Sequence, residues 1–488
     1  MRFFLSTIFS LTTVGTIVCQ PYQVRLCLED ALIIGREQSL IAKETKNALT
    51  IAYWQYRDYK ANLFPSLTLD GSLPSLNRSL SSYQQEDGIY KFISNNYVRE
   101  SLGLTLSQAI PFTGGNLYIQ SSTERIDQLG GQRNGSFLSI PFTVTLIQPI
   151  FAFNTLKWAR QIEPLKYEKN RRTYIASIEN VNITTVNYYF NLLLSMANRD
   201  IANQNQQNAS ELYRIAIEKQ KLGIISENEI MQLHVGALNA KAAVIAAEQD
   251  YSEKMHILKN YLGYADSINI EPQIPSKRII PRINPLLIKE KSRENNPTYQ
   301  DFKVRLLEAE SAITKAKRDR NPDVQLYVSV GNTGSDHNFI GSYGNLKNRQ
   351  IIELGISIPI LDWGKRKGKV ELAKSQYALV KDHIAREEND FNERVRVLID
   401  NINNQPTLVD LYQMADSIAQ QRYKIAFEKF ALGNATVIDI NYAEQEKDNA
   451  KRNYINQLYL SWLYYYTLRY ITLYDFELNE DIALPTSE

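Results

Sequence analysis

The chain has 488 residues with 55 Lys plus Arg against 53 Asp plus Glu, a formal charge of +2, which lacks the basic excess of a dedicated nucleic-acid binder. Its 44% hydrophobic and 22% charged residues exclude a disordered polymer, and past the first twenty positions no run of about 18 apolar residues reads as a membrane helix. The composition carries one oddity, 30 Tyr beside only 21 Gly and 16 Pro.

Residues 1–19 open with Arg2, continue as an apolar stretch from Phe3 to Val18 and end before Gln20 and Pro21, the pattern of a secretory signal peptide cleaved after Cys19. Val18, where a lipoprotein signal needs a small residue, argues against lipidation. The mature chain then keeps Cys27 alone, so its stability comes from packing and not from an internal disulfide. Residues 20–265 read as a first structural repeat: an opening helix, strands at 66–75 and 138–148, an additional hairpin at 102–123, and long helices at 154–221 and 227–263. The strands are legible from alternation. Leu67, Leu69 and Leu73 oppose Thr68, Asp70 and Ser72, and Leu138, Ile140, Phe142, Val144 and Leu146 alternate with Ser139, Thr143 and Thr145. The hairpin is Leu102, Leu104 and Leu106, then Thr113-Gly114-Gly115, then Leu117 and Ile119. Ile175, Ile178, Val181 and Val186 carry helical spacing, and about 60 residues up to Leu222-Gly223 would span roughly 90 Å as one helix.

The Pro-studded stretch 266–297, with Pro272, Pro275, Pro281 and Pro285, reads as a connector. A second repeat follows at 298–476: a helix at 298–320, strands at 323–331 and 351–358, and long helices at 363–431 and 436–475, with a kink or break expected at Pro406. Residues 477–488 form a tail. The two repeats superimpose under a shift of 210 positions. Tyr213–Gly223 (YRIAIEKQKLG) and Tyr423–Gly433 (YKIAFEKFALG) share seven of eleven residues, and Pro149-Ile150 falls on Pro359-Ile360. The chain is a tandem duplication.

A sheet with one apolar and one polar face is either half-buried in a soluble core or wrapped as a barrel in lipid. The alternating runs are about as long as a membrane-crossing strand, roughly 9 to 11 residues. Four equivalent strands cannot close a barrel, and open edges are not left in a bilayer, so a lipid destination requires several chains to share one barrel. Three chains would supply twelve strands. The soluble alternative is an α+β protein whose long helices bury themselves by coiled-coil association. Asn203 to Asn208 is a run of amides covering every face of nearly two helical turns, a surface that meets water on more than one side.

The catalytic inventory is empty: no phosphate loop, no nucleophile elbow and no HExxH helix. His234, His256, His337 and His383 sit in unrelated contexts and read as surface or helix-packing residues, with no metal site. Lys365, Arg366, Lys367 and Lys369 read as a solvated charge run or a membrane-edge anchor.

The duplicated plan, the strand ends QPIFAFNT and IPILDWGK, and the paired KLG and ALG breaks resemble the TolC-type outer membrane efflux proteins, the outer membrane factors. LCLEDALIIGREQSL looks like that family's first helix without its usual Asn-Pro, which the second repeat keeps at Asn296-Pro297. The resemblance implies an α+β membrane protein of a Gram-negative outer membrane that extends into the periplasm. It implies a homotrimer in which a twelve-stranded transmembrane β-barrel joins a long α-helical, coiled-coil tunnel. It further implies a passive exit duct of a tripartite efflux or type I secretion system, without cofactor or catalysis, engaged by a periplasmic adaptor and through it an inner-membrane pump. Partners are then outer membrane lipid and these proteins, and no nucleic acid. The adaptor would meet the two helix breaks at Leu222, Gly223, Ile224, Ser226 and Glu229, and at Leu432, Gly433, Asn434 and Thr436. A periplasmic aperture would form at Asp439 and Tyr442, with Ala435 where the family carries its gate arginine. Three Asp439 carboxylates about a three-fold axis would raise one another's pKa and attract cations. The alternative is a soluble periplasmic coiled-coil adaptor or scaffold.

Overall fold

In the computed structural model, residues 22–129, 135–221, 225–278, 284–432 and 434–483 are described. The expected signal peptide, residues 1–19, and Leu222, Gly223, Ile224 and Gly433 of the expected tips lie outside them. In chain order the elements are β1 (Tyr22–Leu26), α1 (Leu28–Gln38), α2 (Leu40–Ala61), β2 (Ser66–Gln84), β3 (Tyr90–Ile110), β4 (Gly115–Gln128), β5 (Gly135–Pro149), α3 (Thr155–Lys221), α4 (Glu227–Leu262), β6 (Ile268–Pro272), α5 (Pro285–Asn295), α6 (Pro297–Arg318), β7 (Asp323–Asp336), a 3-10 turn at Gly341–Tyr343, β8 (Lys347–Ser357), α7 (Lys365–Ala431), α8 (Val437–Thr472), β9 (Tyr474–Asp475) and β10 (Glu480–Asp481).

The helices repeat in register. α3 and α7 both have 67 residues and start 210 positions apart, and α4 and α8 both have 36 with the same offset. The helices α1 and α2 match α5 and α6 in length, 11 and 22 residues, at the larger offset of 257. β2 and β7 begin at that larger offset too, each just after a proline, so the surplus residues of the first copy fall on β3 and β4.

Several expectations need correction. The hairpin expected as an addition to four strands joins them in one sheet of six, in the order β2-β3-β4-β5-β7-β8. The hairpin expected at 102–123 is longer than its leucine pattern, and β3 pairs with β4 from Tyr97–Gln128 to Ile110–Gly115 inside the sheet. Beyond it, the outer halves of β2 and β3, Arg78 to Asn96, pair only with each other and have no sustained alternation to betray them. The connector is structured: β6 pairs in parallel with β1, and α5 fills Pro285–Asn295. Pro406 does not end its helix, for α7 runs through it, and the tail folds back as β10 against β9.

The chain divides into two compact units: one of residues up to Asn47, Tyr174–Asn295 and from Glu393 on, the other of Ala48–Thr173 and Asn296–Asn392. The first unit holds lengths of α3, α4, α7 and α8. Hydrogen bonds link α4 to α3 (Tyr261 Oη to Val181 O, 3.1 Å), α3 to α8 (Tyr459 Oη to Asn187 Oδ1, 2.8 Å) and α8 to α7 (Gln405 Nε2 to Gln457 O, 2.9 Å). The tyrosine excess acts here. Tyr189 is fully buried, with its hydroxyl 2.9 Å from Leu26 O and 2.7 Å from Gln273 O while it accepts the Gln273 N–H at 3.0 Å. One ring thus fills the core and closes the end of the β1–β6 pair. Arg278 stacks on Trp462 and Tyr465, and Arg469 is buried between Glu179, at 3.0 Å, and Asp475. In the second unit the ion pairs Lys169–Asp301 and Arg305–Glu387 tie α3 to α6 and α6 to α7.

Candidate membrane-facing sheet and helix-tip site

Antiparallel register places directly paired residues on one face. One row of the sheet is Leu69–Leu104 across β2 and β3, and Leu106–Ile119–Val144–Val330 crosses β3 to β7. A neighbouring row ends on Leu146–Val328–Ile352. The opposite face carries Thr68–Thr105–Gln120–Thr143 and Thr145–Ser329. The burial is inverted relative to a soluble sheet. On the apolar face Leu69 is 67% and Ile352 76% exposed, whereas on the polar face Thr143 is 6% and Ser329 2% exposed, and Thr145 donates to Ser329 at 3.1 Å. A sheet coiled with its polar face inward gives this pattern. Burying a Leu or Ile side chain stabilises by about 1.5 to 3 kcal/mol, so a row of about ten left bare in water forgoes on the order of 20 kcal/mol.

Aromatic and bulky residues mark both ends of that face. At one end Phe64, Phe112, Phe151 and Trp363 are exposed beside the strand ends, Trp363 by 90%. At the other, Phe137, Phe339 and Tyr343 pack edge to face, under a loop pinned by the Ser139–Ser342 hydroxyl contact at 2.6 Å. The tyrosines Tyr97, Tyr118, Tyr327 and Tyr343 thus make up less of these ends than Phe and Trp do. Between the belts a strand has about 11 residues, roughly 36 Å along its axis and about 27 Å in height at a 40° tilt, matching an apolar band of about 25 Å. β2 and β8 are the edge strands, and among the described residues each lacks a partner on one side.

The tip residues sit at the starts of α4 and α8, where the duplication yields two equivalent caps. Ser226 accepts from Glu229 N at 3.3 Å while the Glu229 carboxylate accepts from Ser226 N at 2.9 Å. Thr436 and Asp439 repeat the exchange at 3.2 Å and 2.9 Å. Both are capping boxes, a signal legible as S-x-x-E and T-x-x-D but read at first only as tip sequence. The Thr436 hydroxyl and N–H hold the Asp439 carboxyl below its usual range, and Ser226 does the same for Glu229. Within one chain Asp439 is therefore an engaged cap, with its pKa moved opposite to that expected of clustered aperture carboxylates. Ala435 packs against the cluster of Leu212, Ala216, Leu233, Phe430, Val437 and Ile440. Tyr442 is 67% exposed and Leu432 is exposed, and Asn434 N–H donates to Lys429 O at 2.8 Å, closing the end of α7.

Two further seams are bare. On α4, Met231, Val235, Leu238 and Ile245 are exposed at coiled-coil spacing, and on α7 so are Leu411, Ile418 and Ile425 at every seventh position, with Leu432 just past its end continuing the row. By length and composition α4 could cross a membrane, which the sequence reading missed because Asn239 and Lys241 interrupt its apolar run. Its heptad spacing is that of a helix-pairing seam. Among the described residues no group of His, Cys, Asp and Glu is arranged for a metal ion. His234 stacks on Tyr213, and the His337 ring lies 3.1 Å from Gly135 O.

The sequence profile of the outer membrane efflux protein family matches residues 46–264 and 289–461. The chain is 22% identical over 396 residues to the outer membrane protein TolC of Salmonella enteritidis, covering 74% of this chain and 76% of that protein, and to TolC of Escherichia coli K12 at the same identity, covering 75% of it. Its fold is similar to that of the Campylobacter jejuni CmeC outer membrane channel, with a TM-score of 0.66, 16% identity and coverage of 94% and 87% of the two chains. It is also similar to the outer membrane protein VceC of Vibrio cholerae, with a TM-score of 0.60, 14% identity and coverage of 91% and 95%.

Proposed function

The chain belongs to the outer membrane efflux protein family, and from that premise we propose that it is a passive exit duct built from three copies and engaged at its periplasmic tips by an adaptor and, through it, an inner-membrane pump. It is an outer membrane protein that extends into the periplasm, and the proteins it resembles are channels, not enzymes. One observation carries the proposal: a six-stranded sheet whose exposed face is the apolar one and whose two edges are open. Lipid satisfies the face, and only a closed barrel satisfies the edges. β2 of one copy then pairs with β8 of the next. With six strands per copy, a trimer brings eighteen strands to the barrel in place of the twelve expected from sequence, enough for a water-filled lumen.

The helices support the same assembly. Within the first unit the hydrogen-bonded order is α4, α3, α8, α7, which leaves the apolar seams of α4 and α7 on the flanks. A heterologous contact of α4 with a neighbour's α7 covers both and closes a ring. A soluble scaffold could use the helix seams but leaves the apolar sheet bare. The capped starts of α4 and α8, with Ser226, Glu229, Leu432, Asn434 and Thr436, present the adaptor-docking tips, and Asp439 and Tyr442 of three copies form the periplasmic constriction. Detergent extraction of the membrane fraction followed by mass measurement tests the assembly. A species of about 160 kDa, three mature chains, is the expected result, and a soluble monomer overturns it.

A further inference from the structure

Eight residues before the end of α7 and seven to eleven after the start of α8, a half-buried polar cluster lies where α3, α7 and α8 meet. Asp448 is 7% exposed and accepts from Asn205 Nδ2 at 2.6 Å through one carboxylate oxygen. Lys447 Nζ lies 3.4 Å from the other oxygen, donates to Asn205 Oδ1 at 3.3 Å and sits 4.3 Å from the centre of the Tyr423 ring. Glu444, one turn before Asp448, faces the same space beside Asn208 and Tyr423. Among the described residues, Glu444 Oε1, Asp448 Oδ1, Tyr423 Oη and Asn208 Nδ2 are buried atoms without a well-formed hydrogen bond, although the Asn208 amide lies beside both Glu444 and Tyr423 and favours their ionised forms.

The charges do not balance. α8 supplies two carboxylates and one cation; α3 faces them with the neutral amides Asn205 and Asn208, and α7 with the Tyr423 phenol. Elsewhere on α7 and α8, Arg422 pairs with Glu446 and Lys451 with Asp416. An ionised carboxylate in excess of its cations is costly to bury, while its protonated form is not.

We propose that Glu444, half-buried with one carboxylate oxygen enclosed, is a proton-operated latch on the helix packing above the tips: protonated, it stays in the seam and α3 holds against α8 and α7; ionised, it is driven toward water and the seam loosens. Burial, with the neighbouring Asp448 carboxylate adding to it against Lys447, lifts the Glu444 carboxyl above its ordinary value of 4.5. A group with a raised native pKa stabilises packing below its ordinary pKa, and the contribution is lost as pH rises through the raised value. Acid therefore tightens this seam.

Hydrogen exchange on the full-length protein in detergent tests the latch, and because it reads helix packing it does so whether or not the protein conducts. After correction for intrinsic exchange, amides in 200–215 and 440–452 of the wild type should exchange at least about three-fold more slowly at pH 5 than at pH 8. Glu444→Gln, which is isosteric and uncharged, should show the slow rate at both pH values. Tyr423→Phe, which keeps the carboxylate, should retain the pH dependence. A wild type indifferent to pH, or a Glu444→Gln variant that responds as the wild type does, overturns the proposal.

Discussion

Leu104 and Thr105 are neighbours on β3 whose side chains leave the sheet on opposite faces. Leu104 pairs with Leu69 and Thr105 with Thr68 and Gln120, and both lie midway along the part of β3 that is paired on both sides. If the apolar face meets lipid, Leu104→Arg puts a guanidinium near the bilayer midplane, which costs about 2 to 4 kcal/mol, or about 30- to 700-fold in the folding equilibrium per chain at 1.4 kcal/mol per decade. Thr105→Arg adds the same side chain one residue away but toward the polar face, where water fills the lumen, and should cost less than about 1 kcal/mol. Urea titration of protein refolded into lipid vesicles, with the folded fraction read as the heat-sensitive band on a gel, measures both. Equal costs for the two variants, or a larger one for Thr105→Arg, would refute the assignment of faces.

Replacing Ser226 or Thr436 by Ala should destabilise its own helix start by about 1 kcal/mol, seen as faster hydrogen exchange confined to the first turn of α4 or α8. The carboxyls of Glu229 and Asp439 are held low by these caps, so the caps persist above the ordinary carboxylate range and weaken only as pH falls through it, a response opposite in sign to that of Glu444. Arg469→Met leaves Glu179 and Asp475 buried without their cation and should cost about 3 to 5 kcal/mol, measured by chemical denaturation; adding Glu179→Gln should recover part of it. At the constriction, Tyr442→Ala should raise single-channel conductance in a planar bilayer, and Asp439→Asn, which can still accept from Thr436, should weaken block by divalent cations; unchanged currents in both would remove these residues from the aperture.

Much of this was legible in the sequence for identifiable reasons. The long helices announced themselves by long runs without proline, such as that between Pro164 and Pro272, and by the repeat YRIAIEKQKLG and YKIAFEKFALG. The inner halves of the strands showed period-two alternation because one face is apolar throughout. The outer halves of β2 and β3 were invisible, since Arg78 to Asn96 lies past the aromatic belt, where no apolar face is required and alternation lapses. β6 and α5 were hidden in a Pro-rich stretch, and β1 in the few residues before the first helix; the β1–β6 pair takes its order from tertiary contacts, Tyr189 above all. At Pro406 the helix runs on, as the range 363–431 anticipated, because packing along α7 outweighs one lost hydrogen bond. At the tips the residue types were visible but their local task was not. Ser226-Glu229 and Thr436-Asp439 are capping boxes before they are anything else, and the resemblance drew attention to docking and gating first. Glu444 escaped because a lone glutamate on a polar helix carries no signal until three helices close around it.

The central claim is that this chain assembles a water-filled passage through the outer membrane that needs no energy source of its own. Recording purified, detergent-extracted protein in a planar bilayer without nucleotide tests it most directly. The account expects discrete conductance steps that persist under a fixed voltage and enlarge in Tyr442→Ala. Insertion without conductance in both the wild type and that variant would contradict it.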